Sequence, residues 1–162
     1  MKGIEVIPGR LLFSALEKLP FSTDHEIYFD IISDPIFRYA NYFDDFGPLS
    51  IKQVFLFVQM LQKHMTMEGP KLHFFCLSDP RDITNCVFLS AVLRMMLMNL
   101  DPMTAFKPFS KFSKRILPYR DASALTSVYS LVIPDCLSGL YKAIRLGWFS
   151  METFDPEAYA ER

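Results

Sequence analysis

Residues that could handle a phosphate group are concentrated in one stretch, which contains His73, Cys76 and Arg81. A cysteine thiolate can attack phosphorus, and an arginine can hold phosphate oxygens in a bidentate pair. The surrounding pattern predicts a strand, a tight polar loop and a helix. A helix N-terminus attracts anions through its free N–H groups and its dipole. These residue types therefore make phosphate the first ligand to consider.

The spacing argues against phosphate chemistry here. In cysteine-dependent phosphatases the strand ends in His-Cys, five residues follow, and an Arg opens the helix, with glycines that let the loop close on phosphate. This chain has His73-Phe74 at the corresponding place, so a phenyl ring replaces the nucleophile. Cys76 and Arg81 are separated by only four residues, none of them glycine, and Asp79 would repel a phosphate dianion. We therefore interpret these five residues as a degenerate phosphate loop and Cys76 as a small core residue.

Composition predicts one compact domain over residues 1–162. The chain is 51% hydrophobic and 22% charged, which is enough apolar material for a real core. A net charge of -1 gives no global reason to expect nucleic acid or an anionic membrane as partner.

Three unpaired cysteines fit a reducing compartment and neither a disulfide framework nor a zinc site. The longest apolar run, Cys86–Leu100, contains Arg94 and is too short to span a membrane. No charged and then apolar signal sequence appears at Met1. We therefore expect a soluble intracellular chain.

Hydrophobic periodicity predicts alternating strands and helices around one core. A proline before Gly9 and a glycine before Pro70 mark two of the breaks between elements. The predicted strands are Gly3–Ile7, Arg10–Leu16, His25–Ile32 and Leu72–Leu77, and the predicted helices are Ile51–Met65, Cys86–Leu100, Met103–Phe112 and a last helix that starts near Ile133 or bends at Pro134 and stops at Gly147. The polar loop between the fourth strand and its helix is predicted over Ser78–Asn85.

Several segments are recognisable together by their order and spacing. They are Tyr42-Phe43-Asp44-Asp45-Phe46-Gly47-Pro48-Leu49, Pro118-Tyr119-Arg120-Asp121-Ala122-Ser123, Asp135-Cys136-Leu137, Gly147-Trp148-Phe149 and Glu152-Thr153-Phe154-Asp155. Together these segments resemble the amino-terminal domain of the Cdc14 family of dual-specificity protein phosphatases. The resemblance runs from about Ile4 to Arg162, and the joint order of the segments is more specific than any one of them.

The resemblance implies a phosphatase-type α/β fold, with a central mixed sheet flanked by helices and no working phosphate loop. It implies a two-domain enzyme whose catalytic Cys and Arg lie in the other half, so this chain is expected to be inactive alone. No cofactor or metal is implied. The expected partners are that catalytic domain and phosphoprotein substrates, and family members act in the nucleus or at the cytoskeleton.

The resemblance also implies that this domain contributes to an acidic groove that favours phosphoserine followed by proline. The groove residues are expected to be Glu5, Asp155, Glu157 and Glu161. Glu5 is alternatively an ordinary exposed strand carboxylate. From the residues themselves, the adjacent Arg120 and Asp121 are expected to anchor their loop by hydrogen bonds to the backbone.

Two other functions stay open from the sequence. The cluster from Lys107 to Arg115 is either a solvated helix face or the binding site of a free-standing pseudophosphatase or scaffold that holds phosphoproteins without hydrolysis. The second open function is an enzyme that uses Cys76 directly as its nucleophile, which the four-residue spacing between Cys76 and Arg81 disfavours.

Overall fold

A four-stranded mixed sheet is the centre of the computed structural model, which describes residues 3–66 and 69–160. Its strands are β1 (Ile4–Ile7), β2 (Leu11–Leu16), β3 (Glu26–Phe29) and β4 (Lys71–Leu77), in the spatial order β1-β2-β4-β3. β1 runs antiparallel to β2, while β2 and β3 both run parallel to β4. The expected α/β fold with a mixed sheet is confirmed, and β3 is shorter than the predicted strand.

The first helix, α1 (Ile51–Met65), has the predicted bounds because its N-terminal signals are strong. The Ser50 hydroxyl accepts a hydrogen bond from the Gln53 amide, and the Gln53 side chain accepts one from the Ser50 amide. This reciprocal pair satisfies two N–H groups that the helix leaves free. The apolar side of α1 then packs on the sheet through Phe57 and Val58.

The second helix corrects one sequence prediction. α2 (Pro80–Leu97) starts at Pro80 and not at Cys86, so the predicted polar loop Ser78–Asn85 is wrong. Asp79 caps the helix and Pro80 occupies its first turn, where the missing proline N–H costs nothing. The helix then runs through the interior, buried on nearly every side as its composition predicts.

The predicted Met103–Phe112 helix is two elements, α3 (Pro102–Phe106) and a 3₁₀ helix, Lys107–Phe112. Pro108 has no N–H to donate, so the α-helical ladder cannot continue through it. α4 (Ile133–Arg145) begins where proline is tolerated, in agreement with the first of the two predicted starts. A short helix at the end of the chain, α5 (Pro156–Ala160), was not predicted.

The core lies between the helices and the face of the sheet that carries Phe13, Phe29 and Phe74. Phe74 is fully buried, and its ring centroid lies 5.4 Å from that of Phe13, 5.5 Å from Phe29 and 5.4 Å from Phe57 of α1. Rings at these separations pack favourably beyond the area that they bury. No helix in the described ranges combines the length and the hydrophobicity that crossing a membrane requires.

Candidate functional site

The junction between β4 and α2 is the place where a phosphate loop would lie. β4 ends at Leu77 and α2 begins at Pro80, so the junction consists of Ser78 and Asp79 alone. The Ser78 hydroxyl donates to the Leu16 carbonyl at 3.0 Å, which ties the junction to the end of β2. A turn of this length cannot surround a phosphate group with backbone amides.

The N–H groups at the start of α2 are already occupied. Asp79 Oδ1 accepts hydrogen bonds from the Arg81 amide at 2.8 Å and the Asp82 amide at 3.2 Å. Burial and the nearby Asp79 carboxylate raise the pKa of Asp82, as expected where negative charges are close together. The helix N-terminus therefore binds an anion that belongs to the chain itself.

Arg81 is directed toward another element. Its Nη2 lies 3.3 Å from Asp44 Oδ1, and its guanidinium carbon lies 5.6 Å from the centroid of the Phe46 ring. Arg120 binds the other oxygen of Asp44, with Nη1 2.6 Å from Oδ2. Asp44 thus joins two arginines that are 37 and 76 residues away in the sequence.

The loop that begins at Arg120 is held by its backbone as well as by this ion pair. The Phe46 amide donates to the Arg120 carbonyl at 3.0 Å, and the Arg120 amide donates back at 2.7 Å. Asp121 Oδ1 accepts from the Ser123 hydroxyl and amide, and these hydrogen bonds lower the pKa of Asp121. Arg120 therefore contacts the Phe46 segment, whereas Asp121 stabilises only its own turn.

Cys76 lies in the interior and does not face the junction. It is 1% exposed on β4, next to Cys86 of α2, which is fully buried. The pKa of Cys86 is raised well above its usual value, mainly by burial and to a smaller extent by a hydrogen bond with Cys76. The Cys86 thiol therefore stays protonated, and both buried cysteines pack as small apolar side chains.

His73 lies on the opposite face of the sheet from Phe74. Its Nε2 is 3.2 Å from Ser14 Oγ, and its ring stacks on Tyr28 with centroids 4.5 Å apart. Burial lowers the pKa of His73, so the ring is neutral at physiological pH. A Cβ at Gly3 would lie 2.8 Å from both His73 Nε2 and Ser14 Oγ, so this strand approach requires glycine. His73 therefore belongs to the packing of the sheet.

A cavity of about 330 Å³ opens beside the start of α2. Its wall includes Tyr39 and also Arg38, for which the sequence predicts no role. Tyr39 donates to Asp45 Oδ2 at 2.5 Å, and Asp45 Oδ1 accepts from the amides of Tyr42 and Phe43. The hydrogen bond from Tyr39 is the main reason that the pKa of Asp45 falls to about 2, and that of Tyr39 rises to about 12. The adjacent aspartates before Gly47-Pro48 were the available signal for this hydrogen-bonded turn.

The four carboxylates expected to line a groove lie on different elements. Glu5 is exposed on β1, and its Oε1 accepts from the Gly9 amide at 2.8 Å. Asp155 caps α5 through the amides of Glu157 and Ala158. Glu157 forms an ion pair with Lys52 of α1 at 3.2 Å. Glu161 lies outside the described residues. Across residues 3–66 and 69–160, no cluster of three His, Cys, Asp or Glu side chains is placed to hold a metal ion.

Comparison with known proteins identifies the family of this chain. A family model described as the N-terminal half of dual specificity protein phosphatases matches residues 5–143. The dual specificity protein phosphatase CDC14A of Homo sapiens is 32% identical over 159 residues, which cover 96% of this chain and 26% of that protein. The CDC14B protein of Mus musculus is 28% identical over 94% of this chain and 32% of its own length.

A relative with lower sequence identity is matched over a similar part of its length. The tyrosine-protein phosphatase CDC14 of Saccharomyces cerevisiae is 24% identical over 96% of this chain and 28% of its own length. In each comparison the chain spans about a quarter to a third of the relative. The chain belongs to the Cdc14 family of dual-specificity protein phosphatases and corresponds to their N-terminal half.

Proposed function

We propose that this chain is one non-catalytic domain, which packs on the catalytic half of a Cdc14-family phosphatase and helps to form its substrate groove. The observation that carries the proposal is the β4–α2 junction, where two residues replace a phosphate loop and Asp79 occupies the helix amides. A phosphate ester has neither a nucleophile nor free donors at this position. Turnover must then come from the remainder of the full-length protein.

An exposed apolar surface supports the packing on the catalytic half. Tyr42 is 93% exposed, Val128 99% and Leu125 80%, and Phe43 and Tyr129 are exposed as well. Side chains of this size are rarely left in water in such a group unless a partner covers them. The two loops that carry them meet where Asp44 binds Arg120, and a cavity of about 260 Å³ lies between them. The catalytic half is the occupant that the family assignment favours.

The groove carboxylates would act through charge and not through chemistry. Glu5, Asp155 and Glu157 attract a basic residue near a phosphoserine-proline site, which raises kcat/KM for such substrates without changing the reacting groups. The N-cap position of Asp155 supports this role because its hydrogen bonds fix the start of α5. We also propose that the protein acts in the nucleus or cytoplasm, including the cytoskeleton, as family members do.

The reading frame downstream of Arg162 in the natural gene is the first test. The proposal expects His-Cys, five residues and then Arg. A stop codon directly after Arg162 would contradict it and would favour the free-standing scaffold. Lys107, Lys111 and Lys114, which have no ion-pair partner among the described residues, also support that alternative.

The second test measures specificity in the full-length protein. In the double variant Glu5→Gln with Glu157→Gln, kcat/KM for a phosphoserine-proline peptide that contains a downstream lysine should fall about tenfold. Hydrolysis of a generic aryl phosphate should not change, and Glu17→Gln, at an exposed carboxylate directly after β2, is the control. Equal losses on both substrates, or no loss on the peptide, would refute the groove assignment.

A further inference from the structure

The exposed face of the 3₁₀ helix and the turn after it is basic, and the proposed function does not use it. The basic surface consists of Lys107, Lys111 and Lys114 together with the hydroxyls of Ser110 and Ser113, all exposed. From Pro102 to Arg120 the sequence contains five cations and no carboxylate. A chain with a net charge of -1 therefore presents one locally cationic face.

The geometry of the 3₁₀ helix places the exposed side chains in two adjacent columns, Lys111 with Lys114 and Lys107 with Ser110 and Ser113. With three residues per turn, side chains three apart lie above one another. Phe109 and Phe112 point inward, with ring centroids 6.4 Å and 5.6 Å from that of Phe13. The same repeat places Lys111 beside Lys114, about 6 Å apart along the axis.

The hydrogen bonding extends this repeat past the end of the helix. The Ser113 amide donates to the Ser110 carbonyl at 3.0 Å, and the Arg115 amide donates to the Phe112 carbonyl at 2.7 Å. The position of Lys114 is thus set by backbone hydrogen bonds on both sides. The anchor beneath it is the buried pair of phenylalanines.

The donors of the basic surface are not used within the described part of the chain. The ion pairs there join Lys52 to Glu157 and both Arg81 and Arg120 to Asp44, and none involves the three lysines. Neither serine hydroxyl has a hydrogen-bond partner among the described residues. An incoming anion would therefore displace no hydrogen bond or ion pair that these side chains make with described residues.

We propose that the basic surface binds a phosphate group on a phosphorylated protein segment, separate from the phosphoserine that is hydrolysed. Lysine ammonium groups and hydroxyls are the donors that a phosphate dianion needs. The exposed side chains from Lys107 to Lys114 are lysines and serines, without the aromatic or aliphatic side chains that insert into a lipid interface. A phosphoprotein is therefore favoured over a membrane, and the partner class rests on the proposed function.

The surface also lies next to the strand that carries a groove carboxylate. The 3₁₀ helix packs against β1, on which Glu5 is exposed. A substrate with a basic residue beside the hydrolysed site and a second phosphorylated residue at a distance would match both charges. The surface therefore selects for multiply phosphorylated substrates.

Fluorescence anisotropy with a labelled Gly-Ser peptide that carries two phosphoserines tests the proposal on this chain directly. At about 50 mM salt the peptide should bind, and at about 300 mM salt the affinity should fall at least about fivefold. The variant K111E/K114E should bind at least about tenfold more weakly. The matched control K18E/K142E makes the same change in net charge at two exposed lysines elsewhere, and its affinity should stay within about twofold.

Three results would overturn the proposal. They are equal binding of the unphosphorylated peptide, equal losses in the two variants, and binding to phosphatidylserine vesicles without binding to the phosphopeptide. The assay measures binding and not specificity of turnover, so its failure is distinguishable from failure of the groove assignment. Circular dichroism of both variants establishes that they are folded.

Discussion

The β4–α2 junction and the basic surface both contain donors suited to an anion, and they differ in whether those donors have partners among the described residues. At the junction, the Asp79 carboxylate accepts hydrogen bonds from the amides of Arg81 and Asp82, which would otherwise be available to a phosphate group. At the basic surface, Lys111 and Lys114 have no carboxylate partner among the described residues. A strand that leads into a helix is thus not sufficient for phosphate binding, because capping by the chain itself removes the site.

The comparison also separates stability from recognition. Internal hydrogen bonds at the junction stabilise the start of a buried helix, whereas the exposed lysines of the basic surface contribute little to folding. Substitutions at the junction and in β4 should therefore lower the free energy of unfolding. Substitutions at the basic surface should change binding and leave that free energy nearly constant.

The largest expected effect is at Phe74. Phe74→Ala should lower the free energy of unfolding by about 3–5 kcal/mol, because it leaves a cavity among the packed rings of the core. The melting temperature should fall by roughly 10 °C. Phe21→Ala, at a ring that is 90% exposed, is the control and should change the free energy by less than about 0.5 kcal/mol. Equal melting temperatures for both variants would show that Phe74 does not belong to the core.

An intermediate effect is expected at the helix cap. Asp79→Ala should cost about 1–2 kcal/mol because two amides lose their acceptor, and Asp79→Asn should retain most of the stability. Asp24→Ala, at an exposed carboxylate, is the control for lost charge. Thermal melts with and without inorganic phosphate make the comparison. A phosphate-dependent rise in the melting temperature of Asp79→Ala that exceeds the rise for wild type would mean that the capping carboxylate alone prevents anion binding at the junction.

The smallest expected effect is at the turn that forms one wall of the neighbouring cavity. Tyr39→Phe removes the hydrogen bond that is the main cause of the lowered pKa of Asp45. A lowered pKa in the folded state stabilises the protein above the unfolded value of 3.8, and this stability is lost as pH falls toward about 2. Wild type should therefore be more stable than Tyr39→Phe above about pH 4, with a difference that closes near pH 2. A difference that stays constant from pH 7 to about pH 2 would contradict this role for Asp45.

Titration at alkaline pH tests the hydrogen bond between Tyr39 and Asp45 from the side of the tyrosine. The pKa of Tyr39 is raised to about 12 from 10.0 by the hydrogen bond to Asp45, so its contribution is present below pH 10 and is lost as pH rises through about 12. Absorbance of tyrosinate in wild type and Asp45→Asn measures this directly. The titration of one tyrosine should move to lower pH in the variant.

The sequence predicts α1 well because local signals agree with one another. Ser50 and Gln53 form the cap, and the apolar residues that follow keep helical spacing. The start of α2 was missed although its cap was visible. Asp-Pro occurs at residues 34–35, 79–80, 101–102 and 155–156, and a helix or 3₁₀ turn begins at each. At the second of these, the polar residues that precede Cys86 resemble a loop, although Asp79-Pro80 is an ordinary helix-capping signal.

The interactions around Asp44 could not be predicted from spacing. Asp44 and Arg120 are 76 residues apart, and only the antiparallel bridge between Phe46 and Arg120 brings them together. The same limit applies to Tyr39 and the cavity beside α2. Residue types identify which side chains can form ion pairs, but partner choice depends on how the loops are placed by the folded core.

A phosphatase assay of this chain with a generic aryl phosphate tests the central claim, which is that the β4–α2 junction does not catalyse phosphate-ester hydrolysis. Wild type and Cys76→Ser should both show no turnover above the rate of the buffer, because the thiol is buried and the helix amides are occupied. Turnover by wild type that disappears in Cys76→Ser would contradict the account.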